Sequence, residues 1–539
     1  MTREARSRTV LIGLDGATFS VLDPLMQDGV MPYLKQFAAE GVRGIMRSTA
    51  HPLTPPAWAS LMTGRTPGNH GVFDFVRVDR QRNEPTYTLV TSADIQCETV
   101  WSIASREGCR VTALNFPCMF PPPQINGFVV PGYVPWSYLS RAVHPRELYT
   151  RLKTQQGFNA RELAVDWHLE RKAVQGLPED DLQSWVEFHV VREQRWFEIT
   201  KFLMREEPCD LTAVLFDGVD RLQHLCFHLI DPYLASQATG ARAQHVRNLC
   251  LDYFRQVDGY IREIVSMAGP EARVFITSDH GFTVAGDQIF YANTWLQQHG
   301  YLEWAEGVPV DEEGRLALDD NTESNRLFDW SRTKAFALTS SSNAIFIRQA
   351  EVPDEPGVPA ADYEAFRERL VKSLLEFTDP RTGEPVIAQV MTREEAFPGQ
   401  HMDQAPDLTL VLREPGFLSV LRADAPLKPR PMPYGTHHPH GIFFGRGPGI
   451  RAGEEIPSFS IVDISPTLLY SLGLPVPGDM EGAPNLNAFE ASFVNAHPVM
   501  KGALSLSQSP SQDKLEGELL PEDEEARIIE SLKVLGYFE

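Results

Sequence analysis

Cysteine is scarce and unpatterned. The six cysteines of this 539-residue chain stand at 97, 109, 118, 209, 226 and 250, with no C-x-x-C pair. That excludes a disulfide framework and a thiolate zinc ribbon. Long apolar runs are missing too: none approaches the roughly 20 residues that span a bilayer. The N-terminal MTREARSRTVLIGLDG has no signal-peptide core, because the apolar run behind the arginines is short and is broken by Gly13 and Asp15. The expectation is a cytoplasmic protein with no transmembrane segment. Positive charge is also short, with 49 Lys and Arg against 72 Asp and Glu and a formal net charge of −23. Such a surface repels polyanions, so no nucleic-acid polymer is expected as a partner. A small anionic substrate stays compatible if bound cations supply local positive charge.

What is present is a well-populated core: 42% of the residues are hydrophobic. The length implies a large catalytic domain with insertions, or two to three domains. TVLIGL (9–14) reads as a buried parallel strand ending at Asp15. VTALN (111–115), LTAVLF (211–216), RVFIT (273–277) and GIFF (441–444) read as strands of the same kind. MPYLKQFAAEG (31–41) reads as a helix, and long helical patterns cover 182–206 and 241–267. The alternation predicts an α/β fold, with a doubly wound, mostly parallel sheet.

Two segments break the alternation. Residues 120–180 are first rich in Pro, Gly and aromatics, then polar; residues 300–433 mix strand-like and helical pieces. The expected organisation is a catalytic core at 1–299 with an insertion at about 120–180, an inserted cap subdomain at 300–433, core again at 434–502, and a tail at 503–539. In that tail a linker precedes a helix that opens at Pro521, with Ala526, Ile529, Leu532 and Leu535 on one face.

The stretch HPLTPPAWASLMTGRTPGNHG (51–71) puts two prolines directly behind Thr54. One reading is helix capping by Thr54, with Gly64 past the helix end. The other makes Thr54 a nucleophile at a helix N-terminus, where the backbone dipole favours an anion. The rest of the chain weighs on the choice. Asp15, Asp220 and Asp279 all fall at or just after the carboxyl ends of predicted parallel strands, where open α/β sheets gather ligands. In DRLQH, Asp220 and His224 are four apart and share a helical face. His280 follows Asp279, and GTHHPHG precedes the strand at 441. Taken singly, each is an ordinary turn former, ion pair or loop histidine. Together they form a carboxylate–imidazole set without thiolates, which suits Zn²⁺ or Mn²⁺.

These pieces resemble a known family. GLDGA, PLTPPAWASLMTGRTPGNHGVFDF, DRLQH, TSDHGF, GTHHPHGIFFGRGPGI and IVDISPTLLYSLGLPVPGDMEG are similar, in order and spacing, to the type I phosphodiesterase/nucleotide pyrophosphatase branch of the alkaline phosphatase superfamily. Within that branch they resemble more closely its bacterial and archaeal phosphohydrolase or phosphomutase members. The resemblance implies an alkaline phosphatase-like sheet and two divalent metal ions, zinc first and manganese second. One ion would be held by Asp15, Thr54, Asp279 and His280, the other by Asp220, His224 and His437. His437 is chosen over His438 and His440 because the family pattern is G-x-H before a glycine-led strand. Thr54 would be the nucleophile and form a phosphothreonine. The chain departs from the eukaryotic-type enzymes at Phe75, where they carry an asparagine that holds a phosphoryl oxygen; Asn115 is the candidate replacement.

The leading expectation is a two-metal phosphodiesterase or nucleotide pyrophosphatase acting on a small-molecule phosphate ester. The alternative is a phosphomutase or phosphomonoesterase on the same site. A non-catalytic binding protein ranks below both, because all seven ligand positions carry competent residues. A sulfatase is disfavoured, since PPAW follows Thr54 where that branch needs x-Pro-x-Arg after a Cys or Ser.

Overall fold

TVLIGL is strand β1 (Thr9–Leu14), buried along its whole length. Its side chains alternate between two apolar cores: Val10, Ile12 and Leu14 enter one, Leu11 the other. A strand covered on both faces must be apolar at nearly every position, which is why the run looks continuous. The computed structural model describes residues 8–79, 85–166, 169–170, 179–307, 327–350, 355–506, 525 and 528.

Seven further strands join β1: β2 (Val42–Arg47), β3 (Val111–Leu114), β4 (Gly127–Val130), β5 (Leu211–Phe216), β6 (Arg273–Thr277), β7 (His440–Arg446) and β8 (Glu454–Ser460). Their order across the sheet is β8-β2-β7-β6-β1-β5-β3-β4. β1 is central and parallel to both β5 and β6, so Asp15 leaves the sheet between the exits of those two strands. The α/β, mostly parallel sheet is as expected, with one correction. β7, read as a parallel strand at 441–444, runs antiparallel to both β6 and β2. A run buried on both faces is apolar whichever way it points, so composition does not encode its direction. β4 also lies inside the segment that broke the alternation, and it forms the sheet edge beside β3.

Helices cover both faces. α1 (Thr54–Thr63) packs through Ala57, Trp58, Leu61 and Met62 on one side. α2 (Glu179–Glu206), α3 (Gly218–Ile230) and α4 (Ala241–Ala268) pack on the other. Thr54 and the Asp220–His224 pair therefore approach the sheet edge from opposite faces.

A third apolar core is separate from the sheet. It gathers Phe290, Trp295, Phe336, Ile345, Leu370 and Leu408, with Val76 from a hairpin formed by Val76–Asp79 and Thr86–Leu89. Its own sheet has four strands, drawn from Ala335–Phe336, Ala344–Ile347, Leu408–Leu412 and Ile387–Thr392. The expected C-terminal helix lies outside the described residues apart from Glu525 and Ile528. Ile528 is buried in this third core, and Glu525 accepts a hydrogen bond from the Leu89 amide at 2.8 Å. Among the described residues no helix is long and apolar enough to cross a membrane.

Gly13 links the sheet to α1. A Cβ there would lie 2.7 Å from the Trp58 ring and 2.9 Å from Leu215 Cδ1. Gly13→Ala is expected to destabilise the chain by about 1–3 kcal/mol through this overpacking. Urea unfolding would check it, and a midpoint equal to wild type would contradict the packing.

Candidate metal centre

Each functional side chain is delivered by an element end. Asp15 follows β1, Asp279 and His280 follow β6, and Asp220 sits in the first turn of α3 with His224 one turn on. Thr54 opens α1, and Gly64 closes that helix in the left-handed conformation at φ 67°. The cap position belongs to Leu53, whose backbone is extended, and no side chain caps the helix. The Thr54 hydroxyl is thus not used for capping. It lies 3.4 Å from His280 Nε2. Pro55 and Pro56 carry no N–H, so this helix start offers an anion fewer donors than an ordinary one.

His437 arrives by strand pairing. Gly435–His438 runs antiparallel to Gly281–Val284, with His437 opposite Phe282. This stacks the His437 ring on the His280 ring, with centroids 3.7 Å apart. His438 is only half-buried and His440 is exposed.

The histidines are oriented from behind. His437 Nδ1 faces the Pro52 carbonyl at 2.8 Å and His280 Nδ1 faces the Gly281 carbonyl at 3.1 Å. A carbonyl only accepts, so in both rings Nδ1 carries the proton and Nε2 presents a lone pair. Those lone pairs converge with carboxylates. Asp220 Oδ1 lies 3.2 Å from His437 Nε2, 3.4 Å from His224 Nε2 and 3.9 Å from His280 Nε2. His280 Nε2 is also 3.3 Å from Asp279 Oδ2 and 3.6 Å from Asp15 Oδ1. His224 Nε2 and His437 Nε2 are 3.0 Å apart. All seven expected residues therefore meet in one buried place.

Two carboxylates have their outer oxygens fixed. Trp58 Nε1 donates to Asp15 Oδ2 at 3.2 Å, and the Gly16 amide donates to Asp279 Oδ1 at 3.1 Å. Gly16 has φ 64°, and a Cβ there would sit 2.9 Å from the Phe282 ring. Burial, then the Asp279 and Asp220 charges, pushes the Asp15 carboxyl well above its usual range. Burial likewise raises Asp279 to about 7 and lowers His224 to about 4. At Asp220 burial is outweighed by His224 and His437, and the carboxyl falls well below the usual range.

Asp15 Oδ1, Asp220 Oδ1 and Asp279 Oδ2 are buried without a hydrogen-bond partner. Three inward carboxylate oxygens facing imidazole lone pairs repel one another unless a cation lies between them. The donor set thus fits divalent cations. Two groups of ligand atoms lie within 4.8 Å of one another: Asp15, Asp279 and His280; and Asp220, His280 and His437. His280 belongs to both.

Neighbouring residues correct one expectation and fix the place of Trp58. Asn115, the candidate for the missing phosphoryl contact, gives its amide N–H groups to the Leu215 carbonyl at 2.9 Å and to Asp217 at 3.0 Å. It has no donor left for a substrate. Trp58 is fully buried and oriented on Asp15, so it offers no face to a substituent, whereas the half-buried Phe75 ring lies 6.3 Å from that of Tyr133.

The spacing of motifs missed the rim. His51 Nε2 donates to the Ser341 carbonyl at 2.5 Å, and Asp74 accepts from the Thr339 hydroxyl. Thr339 and Ser342 share a hydrogen bond at 2.8 Å. The Thr339–Ser342 segment thus rests on both flanks of the segment that carries Thr54. No local pattern marks such contacts, because the partners are 290 and 265 residues apart.

The fold is an α/β sheet that carries a buried carboxylate–imidazole centre at its carboxyl edge. Residues 9–441 match the family model of type I phosphodiesterase/nucleotide pyrophosphatase, and the chain belongs to that family. Phosphoester hydrolysis is therefore the class of its chemistry. No curated protein matches the chain. Among solved structures, phosphonoacetate hydrolase from Sinorhizobium meliloti 1021 with phosphonoacetate superposes at TM-score 0.51 and 14% identity, over 87% of this chain and 95% of that one. Its complex with phosphonoformate gives 0.50 at 15% identity, over the same 87% and 95%. Inactive murine ectonucleotide pyrophosphatase/phosphodiesterase 5 with AMP gives 0.49 at 15%, again over 87% and 95%. At these identities the likeness is one of fold.

Asp74 gives the rim a pH dependence. Burial pushes its carboxyl up to about 6 from 3.8. The folded state then keeps a proton that the unfolded chain has released. This contribution is full below pH 3.8 and is lost as pH rises through about 6. The fall is on the order of 3 kcal/mol. Asp74→Asn should lack it, and urea midpoints followed across this window would show the difference. Identical slopes for the two proteins would refute it.

Proposed function

We propose that this chain hydrolyses a phosphodiester or pyrophosphate bond in a small-molecule substrate, with Thr54 as nucleophile. Two divalent cations, zinc first and manganese second, would be held by Asp15, Thr54, Asp279 and His280 and by Asp220, His224 and His437. The observation that carries the reading is the convergence of three buried, unpartnered carboxylate oxygens and oriented imidazole nitrogens beside the Thr54 hydroxyl. Cations bound there would favour the Thr54 alkoxide and offset charge on the phosphoryl and leaving oxygens. Thr54 Oγ1 attacks phosphorus in line, and the bond to the leaving oxygen breaks. Water then cleaves the phosphothreonine, releasing a phosphate monoester and restoring the hydroxyl.

A diester is favoured over a monoester on charge. A dianionic monoester needs an extra cation beside the nucleophile. Leu53, Pro55, Pro56, Ala57 and Trp58 are uncharged. Arg65 is paired with Asp479 and donates to Ser505 at 2.8 Å. Phe75 offers a half-exposed apolar face to the second substituent. The segment Thr339–Ser342, seated on Asp74 and near His51, supports the second reading, a phosphomutase or phosphomonoesterase whose intermediate is shielded from water. The expected cytoplasmic location is supported by six free cysteines, five of them buried.

An assay of bis-aryl phosphate, mono-aryl phosphate and aryl sulfate at one pH and one zinc loading tests the reading. The diester should have the highest kcat/KM and the sulfate ester very little turnover. Chelator should abolish the diester activity, and Zn²⁺ or Mn²⁺ should restore it. Thr54→Ala should lose roughly three orders of magnitude or more in kcat, as nucleophile removal does elsewhere. Thr54→Ser should keep measurable turnover. A monoester preference would promote the second reading, and a near-normal alanine variant would remove Thr54 as nucleophile.

A further inference from the structure

Behind the Asp220–His224 half of the centre lies a second buried polar cluster that takes no direct part in it. Asp217 occupies the cap position of α3, yet its side chain makes no cap bond. An aspartate there ordinarily accepts from the first-turn amides. Instead Asp217 Oδ1 accepts from Arg192, and Oδ2 lies 3.2 Å from Arg221 Nε. Arg221 also reaches Glu170 at 3.2 Å. The vacated capping role is filled from α2: Glu193 Oε2 accepts from the Gly218 amide at 2.8 Å, and the Tyr253 hydroxyl donates to the same oxygen. Arg192, Glu193, Asp217 and Arg221 are each no more than 1% exposed.

Two further facts constrain the cluster. A Cβ on Gly218 would sit 2.5 Å from Glu193 Oε2 and 2.6 Å from the Tyr253 hydroxyl, so the close approach requires glycine. The two guanidiniums are matched by the Asp217 and Glu170 carboxylates, both held below their usual range, chiefly by the arginines, against the effect of burial. No positive charge is left over to bind an anion. The cluster fixes a helix start rather than a ligand.

We propose that Arg192 and Glu193, adjacent on α2, are positioning residues that set the first turn of α3 and so aim Asp220 and His224. The inference rests on the two-cation reading above. Arg192 holds the side chain of Asp217, and Glu193 holds the backbone of Gly218. Asp220 lies two residues beyond that grip. Partners behind ligands typically weigh about 10–100-fold on metal affinity.

The test is stepwise zinc titration of metal-free full-length protein against a chromophoric chelator, with the melting temperature of each metal-free variant measured alongside. The step assigned to Asp220 and His224 is the one that His224→Ala abolishes. Glu193→Leu should weaken that step about tenfold or more, as partners behind ligands do, and leave the other within about threefold. Glu193→Gln keeps an acceptor for the Gly218 amide and should leave both steps within about threefold of wild type. Arg192→Lys keeps the charge but loses the guanidinium fork, and it replaces Glu193→Leu under the same criterion if that variant does not fold. Unchanged affinity at both steps, or equal weakening of both in proportion to lost stability, would overturn the positioning role. Wild-type protein that binds no zinc would instead overturn the two-cation reading, and the inference with it.

Discussion

Three carboxylates are buried at the carboxyl edge of one sheet, each with an oxygen 3.2–3.6 Å from an imidazole nitrogen, and this constraint organises the rest of the molecule. Left unpaired in a dry site, such charges cost several kcal/mol each. The scaffold meets the cost by orientation. Carbonyls of Pro52 and Gly281 fix two imidazoles with their lone pairs inward. Trp58 and the Gly16 amide fix the outer oxygens of Asp15 and Asp279. What remains is a set of donors suited to a divalent cation and to little else.

The sheet order explains how that concentration arises. Asp15 leaves the central strand β1, with β5 and β6 hydrogen-bonded on either side, so three acidic exits are neighbours by construction. Helix α1 brings Thr54 from one face and α3 brings the Asp220–His224 pair from the other. The third apolar core then meets the Thr54 segment at His51 and Asp74, 3 residues before Thr54 and 20 after it in the sequence. On the proposed reading, substrate selection falls to that seam, since it borders Thr54 and is built from a different body.

Residue patterns made much of this legible. A continuous apolar run ending in aspartate reports a strand buried on both faces with a polar exit, so β1, β5 and β6 and their acidic residues were readable. The four-residue spacing of Asp220 and His224 reported a shared helical face, and the helix start was readable from Thr54-Pro55-Pro56 with Gly64 behind it. These are local signals, set by the period of an element and by its end chemistry. Resemblance supplied the rest of the ligand set, His437 included.

Other features were decided only by contacts between distant segments. The direction of β7 depends on the return of the chain through the Gly435–His438 pairing, and an apolar run carries no arrow. Asn115 looked available as a strand-end amide, but Leu215 and Asp217 claim its donors across 100 and 102 residues of sequence. Nothing in the sequence around Trp58 names a partner for its N–H, and tertiary packing turns it onto Asp15. Sequence by itself determined which residues must be buried and where elements end, because burial and capping act within a few residues. Tertiary structure alone decided which donors meet which acceptors, because a buried polar group takes whatever partner the packing brings within about 3 Å.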